Sequence, residues 1–491
     1  MKKIYLTMGA LLAWGSSALA GQTVTIPVED YKAILERLDA LQKRVEQLES
    51  QRPAGHTAAM PDKKIKEDIE EIYDTLDIVE TKALQDRINF GAELRTRVDN
   101  FKAKDHLFFS NGNPQTQESN DNSWSNRFRL NLDANIRKNL KFTGRLTVYK
   151  NFADSDTSAT GISTDANRAH IPDDTTLKLD RAYVDWIPEG LPVPLAITFG
   201  RHPSSEGPPL EYKENRKRQS TYPGLLFDGE ADGVVATIGL ERYLGWRNSG
   251  LRFAWGKAYQ DDDDVSFYLD RPGGLDDSNV YAVFFETEVP GIDNSLLVLS
   301  ALRADDLVAD FTNAGIGFTN AANVGDMDLY GIHFQADNFR SSGFDFFFSA
   351  GLNRSHPNGQ TVSYGTMNFG LLNNDGTTSH SGWAVYAGMR YTIASARFNN
   401  PKIGFEYNHG SDYWFSFTQG STELYNKLAV RGDVFDVYYI QPFNSNLFAR
   451  IGYTYVDYSA PLSGFHIGDM TGNAAATGTL TNAYLLLDCR F

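Results

Sequence analysis

From residue 86 to its end, the chain alternates apolar and polar residues with a period of two, and the polar positions carry full charges. In the segment Arg87 to Asp99, Ile88, Phe90, Ala92, Leu94, Thr96 and Val98 share one face. Asn89, Gly91, Glu93, Arg95, Arg97 and Asp99 share the other. A strand places successive side chains on opposite faces. A soluble sandwich would need a dry partner sheet over every apolar face. A wall with lipid on one side and water on the other needs none. The pattern repeats in Arg127 to Arg137, turns at 138–140, and runs back through Phe142, Gly144, Leu146 and Val148 against Lys141, Thr143, Arg145 and Thr147. Further segments centre on Tyr183, Ile197, Val235, Phe253, Val283, Leu299, Ile332, Phe346, Val385, Phe405, Val430, Ile451 and Leu485. The fold class expected is an all-β transmembrane barrel of about 16 antiparallel strands over residues 86–491. Long connections at 100–123, 153–175, 203–230, 260–277, 307–326, 356–381, 411–426 and 459–478 alternate with short ones, which sets short turns on the periplasmic side and long loops outside.

The N-terminus supports export. Lys2 and Lys3 precede a short apolar stretch, and Ala18-Leu19-Ala20 forms a cleavage site, so residues 1–20 read as a signal peptide. Residues 21–85 carry a helical period instead. Tyr31, Ile34, Leu38, Leu41, Val45 and Leu48 form one a/d seam, and Ile65, Ile69, Ile72, Leu76, Val79 and Ala83 a second, separated by a break containing Pro53, Gly55 and Pro61. An α-helical coiled-coil segment that self-associates, as a trimer, or folds back on itself covers both seams. No later segment is apolar enough for a membrane helix. The net charge of −16 disfavours nucleic acid as a partner, while 13% aromatic residues set the chain apart from disordered acidic polymers. The single Cys489 offers no disulfide, and no haem or zinc spacing occurs.

A signal peptide, a coiled coil, sixteen alternating segments and a terminal Phe491 together resemble outer-membrane porins of Gram-negative bacteria that carry a periplasmic coiled coil, a proteobacterial group. Asp180-Arg181-Ala182-Tyr183-Val184, followed by Phe199-Gly200-Arg201, is similar to a strand pair in several porin families. The resemblance implies an outer-membrane location, contact with lipid and lipopolysaccharide, assembly signalled to the barrel assembly machinery by Phe491, and passive diffusion of small hydrophilic solutes or ions.

A barrel of this size holds an aqueous bore. Its expected pore-lining residues are Arg95, Arg97, Arg127, Arg129, Arg145, Glu93 and Asp133. Inward bases also include Arg137, Lys141, Arg252, Arg390, Arg431 and Arg450, and inward acids Asp99, Glu286, Glu288, Asp328, Asp337, Asp345, Glu406, Asp433 and Asp488. Bases concentrate on the first three strands, giving a slight lean toward anions, since arginine keeps its charge at any relevant pH. The third long connection carries Glu206, Glu211, Lys213, Arg216 and Arg218; the resemblance to porins implies that it folds inward as a constriction whose charges face the arginines, the alternative being a solvated loop or a rim site for lipopolysaccharide phosphates. Asp261 to Asp264 reads as a solvated loop, and Trp124, Trp186, Trp255, Trp383 and Trp414 as interfacial aromatics. No metal, cofactor or enzymatic motif is expected. Two further readings are a sheath around a periplasmic multihaem cytochrome, with the haem supplied by the partner, and an envelope tether.

Overall fold

The computed structural model describes residues 88–105, 117–152, 177–260, 274–312, 317–418, 425–469 and 477–491. The signal peptide, the coiled coil, the 261–264 acid run, His106 and His170 lie outside them.

Sixteen antiparallel strands form one closed barrel. They are β1 (Ile88–Lys104), β2 (Gln117–Arg137), β3 (Leu140–Asn151), β4 (Lys178–Trp186), β5 (Leu195–His202), β6 (Ala231–Gly239), β7 (Gly250–Tyr259) and β8 (Ser278–Thr287). The second half comprises β9 (Ser295–Asp305), β10 (Gly325–Ala336), β11 (Phe344–Pro357), β12 (Ser381–Thr392), β13 (Lys402–Gly410), β14 (Gly432–Pro442), β15 (Leu447–Tyr458) and β16 (Gly478–Arg490). Each strand pairs with its sequence neighbours, and β16 closes on β1 with Glu93 opposite Arg490 and Lys104 opposite Thr479. Long and short connections alternate around the ring as the sequence predicts.

The two faces invert the usual rule of burial. On β1, Leu94 is 45% exposed, whereas its neighbour Arg95 is only 5% exposed. Phe128, Val283, Ile332, Phe405 and Ile451 likewise stand outward and uncovered. Such a surface is stable only against hydrocarbon, since apolar area left in water costs about 25 cal/mol per Å². Trp124, Trp186, Trp255 and Trp383 join this outer face. Trp414 does not: it is fully buried, its ring lies over Gly351 and Gly410, and its indole N–H donates to the Leu428 carbonyl at 2.9 Å. The two glycines leave the ring room that any Cβ would take.

Several expected inward charges sit elsewhere. Asp328 shares the outer face with Tyr330 and Ile332 and binds Arg303 at 3.0 Å and His356 at 2.8 Å. Asp433 shares its face with Phe435 and Val437 and meets Tyr407 and His409. Arg431 precedes β14 and donates to the carbonyls of Trp414, Pro461 and Phe465, tying loops together. The strand expected around Val430 starts two residues later. Its inward residues are Val434, Asp436, Tyr438 and Ile440. Three of those four are apolar or aromatic because they face packed protein, so polarity could not set the phase of this strand.

A charged belt and an apolar wall inside the barrel

The packed protein is the third long connection. Residues 203–230 enter the bore and carry one short helical turn, α1 (Leu210–Glu214), every residue of which is buried. The loop is two-sided. Leu210, Tyr212, Tyr222, Leu225 and Leu226 join a core with Phe284, Val298, Met327, Leu329, Phe347 and Tyr386, inward residues of β8 to β12. Leu226 lies over Gly331 and reaches Gly351, where a Cβ would clash. Full burial of each such side chain contributes about 1.5–3 kcal/mol.

On its other side the loop meets charge. Arg129 donates to Glu206 at 2.6 Å, Arg145 to the same carboxylate at 3.1 Å, and Arg181 lies 3.7 Å from it. Arg216, from the loop itself, bonds to Glu206 and to Glu93, the latter at 2.9 Å. Glu214 accepts from Arg95 and lies 3.4 Å from Arg490 and 3.7 Å from Arg450. Asp488 accepts from Arg95 at 2.7 Å. Arg127 sits amid Glu93, Glu206, Glu214 and Asp488 at 3.5–3.9 Å. Buried arginines of like sign hold together only because carboxylates are interleaved, and removing one partner of such a set costs about 3–5 kcal/mol.

The expected residues therefore divide. Arg95, Arg127, Arg129, Arg145 and Glu93 come together in this belt with Glu206 and Arg216. Arg97 is inward but apart, bound to Asp99 at 2.6 Å with its guanidinium 4.5 Å from the Tyr484 ring. Asp133 pairs with Lys141 at 2.8 Å near the short-turn end, where both are about half-exposed. Glu211 accepts from Gln335 at 2.9 Å and Arg218 lies 3.3 Å from Glu286, both on the far wall. Lys213 pairs with Asp436 and stands over the rings of Tyr438 and Tyr484. Further clamps are Arg390 to the Tyr212 carbonyl at 2.7 Å and Lys402 to Asn215 at 2.6 Å.

Sequence reasoning missed Asp180 and Arg181 as members of the belt. Neighbouring residues of a regular strand face opposite ways, yet both are buried inside. A register shift in the pairing of β3 with β4, between Arg145 and Leu146, admits the extra residue. Arg145 binds Asp180 at 2.6 Å, and Arg181 donates to the Ser205 carbonyl at 2.9 Å.

Burial alone would raise the loop carboxyls. Arg129, Arg216, Arg145 and Arg127 instead hold Glu206 well below its ordinary value, and Arg95, Arg127, Arg450 and Arg490 do the same for Glu214. Glu211, facing the apolar side, is raised by burial. A depressed carboxyl contributes stability that is complete above its unfolded value and fades as pH falls through the folded one. Protection of the 203–230 loop from protease is thus expected not to fall between pH 7 and about 5, where protonation of the raised Glu211 and Glu230 only adds to it, and to weaken below the unfolded carboxylate value of about 4.3. Proteolysis across that range checks the direction.

The model of the family described as "Protein of unknown function (DUF3373)" matches residues 117–477. The chain belongs to the DUF3373 family. No curated protein matches its sequence. Among solved structures, this DUF3373 barrel is similar to OprB of Pseudomonas putida, with a TM-score of 0.46, 11% identity, and 84% of this chain and 96% of that one covered. For OmpF of Salmonella typhi the TM-score is 0.45 at 10% identity, with coverage of 82% and 97%. For OmpT of Vibrio cholerae it is 0.39 at 10% identity, with coverage of 82% and 97%. Within the DUF3373 match lie β2 to β15, the whole inward loop, and the belt residues between Arg127 and Arg450.

Proposed function

We propose that this protein is an outer-membrane porin through which small hydrophilic solutes or ions diffuse passively, with a slight preference for anions. The observation that carries the reading is a closed sixteen-strand wall, apolar outside and charged inside, with a loop crossing its bore. The charged belt supports the sign. It gathers Arg95, Arg127, Arg129, Arg145, Arg181, Arg216, Arg450 and Arg490 around Glu93, Asp180, Glu206, Glu214 and Asp488, eight guanidiniums to five carboxylates. An excess of fixed positive charge in a low-dielectric narrowing draws anions and repels cations. Solvated polar groups near the periplasmic end, Asp133 and Lys141, give solutes a wet approach to it.

A salt gradient across a planar bilayer tests the sign. The reversal potential is expected on the anion side and should move toward cations in Arg181→Gln, which removes one charge of the surplus. A cation-selective wild type, or a variant with an unchanged potential, refutes the anion preference.

The sheath alternative finds no support, because a cytochrome would need the bore that residues 203–230 occupy. The signal peptide, the coiled coil over 21–85 and the trimer remain part of the proposal on sequence grounds, as does recognition of Phe491 by the assembly machinery. Cross-linking of intact cells should give trimers of the full mature chain and monomers after deletion of 21–85. The reading includes no covalent chemistry.

A further inference from the structure

Three inward residues of β7 and β8 are small: Ala254, Gly256 and Ala282 stand where a bore-filling side chain would otherwise reach the loop. A cavity of about 650 Å³ remains between this wall and the loop, within the size range of small-molecule sites. Aromatic rings face it from two connections. Tyr222 and Phe227 belong to the inward loop, and Phe415 and Phe417 to the segment 411–418. A short parallel pairing of Phe227–Asp228 with Phe417–Thr418 fixes the two connections to each other. The Tyr222 and Phe284 rings meet at a tilt, 4.6 Å apart.

Polar side chains, Ser278 and Asn426 among them, share this lining with the rings, and three of them stand out. His202, Ser416 and Thr418 are each 5% exposed or less, and the His202 Nδ1, the Ser416 Oγ and the Thr418 Oγ1 have no hydrogen-bond partner among the described residues. Leaving a buried polar atom unmade costs about 1–3 kcal/mol, so three around one cavity point to groups supplied from outside. The charges on the lining are already engaged. Arg201 binds Asp232 at 2.6 Å, Lys257 binds Asp277, and Asp310 accepts from the Thr312 amide and hydroxyl. Glu230, pushed up to about 7 by burial and the neighbouring Asp180, is hydrogen-bonded to that carboxyl. His466, pushed down to about 4 by burial, is neutral and donates to the Val308 carbonyl at 3.0 Å.

We propose that this cavity binds an uncharged, hydroxylated ring compound, whose flat or apolar face lies on the aromatic rings while its hydroxyls meet His202, Ser416 and Thr418. Aromatic faces and neutral hydrogen-bonding groups suit such a molecule, and among the described lining residues only Asp310, held by Thr312, and Glu230, held by Asp180, lack an oppositely charged partner. The proposal deepens the channel reading by naming a solute class, and rests on it only for the site's lying on a path of permeation. Binding itself needs no flux, so it is measured separately.

The experiment is calorimetric titration of the full mature protein in detergent with myo-inositol, glucose and resorcinol, and with the charged counterparts glucuronate and glucosamine. Saturable binding of at least one uncharged ring compound, tighter than either charged counterpart, is expected; whether it is the polyols or the phenol tells which ring chemistry the site prefers. Ser416→Ala and Thr418→Val should each weaken it about fivefold, the value of one hydrogen bond of about 1 kcal/mol. Ala254→Leu, which fills the cavity without removing a polar group, should abolish it. Each variant is first shown to be folded by its resistance to heat and detergent on a gel. Absence of saturable binding by every uncharged probe, preference for a charged one, or wild-type affinity in folded Ala254→Leu overturns the proposal. A barrel that binds but does not conduct would refute the channel reading alone.

Discussion

Replacing Glu206 and Glu214 together by glutamine is expected to raise the single-channel conductance several-fold and to strengthen the anion preference. Both carboxylates are 1% exposed and enclosed by guanidiniums. Each substitution leaves buried arginines short of a counter-charge, at about 3–5 kcal/mol. The apolar side of the loop opposes release, since Leu210, Tyr212, Tyr222, Leu225 and Leu226 contribute about 1.5–3 kcal/mol each by burial. On the flank 206–216 only Leu210 and Tyr212 oppose release, about 3–6 kcal/mol against about 6–10 kcal/mol from the two lost carboxylates, whereas Tyr222, Leu225 and Leu226 hold the other flank, so the expected result is a hinge rather than an expulsion. The charged flank near α1 leaves the belt, and the flank at 222–226 stays on the apolar wall. Conductance rises because the belt opens, and selectivity sharpens because two negative charges are gone from it. Protease should then cut between residues 206 and 216 while 222–226 remains protected. Adding Leu226→Asp, which places a charge against Gly331 and Gly351, should free the second flank as well. Wild-type conductance in the double variant would show that the belt does not close the bore.

The second large effect is on the outer wall. Leu299 lies mid-strand on β9, 42% exposed, opposite Phe285 on one neighbour and Ile332 on the other. Leu299→Arg is expected to destabilise the folded barrel by about 2–4 kcal/mol, the cost of a lipid-facing arginine near the bilayer midplane. Refolding into lipid vesicles with a denaturant series measures it. On a soluble protein an exposed leucine changed to arginine would cost almost nothing. A shift within about 0.5 kcal/mol would therefore mean that water, not lipid, lies against Leu299.

Legibility in the sequence followed solvation. Strands with lipid on one side and charge on the other, such as β1 and β2, show their phase in the sequence, and Glu93, Arg95, Arg127 and Arg129 are buried on the face opposite their apolar neighbours. Where the inner face packs against the loop, the contrast between faces vanished, and Asp433 was assigned inward while Asp436 is the residue that pairs with Lys213. Near the outer rim the contrast reversed, because strands extend beyond the apolar band: Arg303, Asp326 and Asp328 form an exposed outer cluster there. Trp414 resembled an interfacial aromatic by its place at the end of a strand, and only the glycines across the bore reveal why it turns inward. The inward course of 203–230 is implied by the porin resemblance and not by its own residues. Its apolar anchorage, through residues far apart in sequence on β8 to β12, is implied by neither.

Recordings from the unmodified mature chain in a planar bilayer test the central claim most directly: the barrel is a water-filled conductor narrowed by its own loop. Small, discrete, ohmic current steps are expected, growing in the Glu206→Gln, Glu214→Gln double variant. Silence from both proteins, each shown to be folded and inserted, would contradict it.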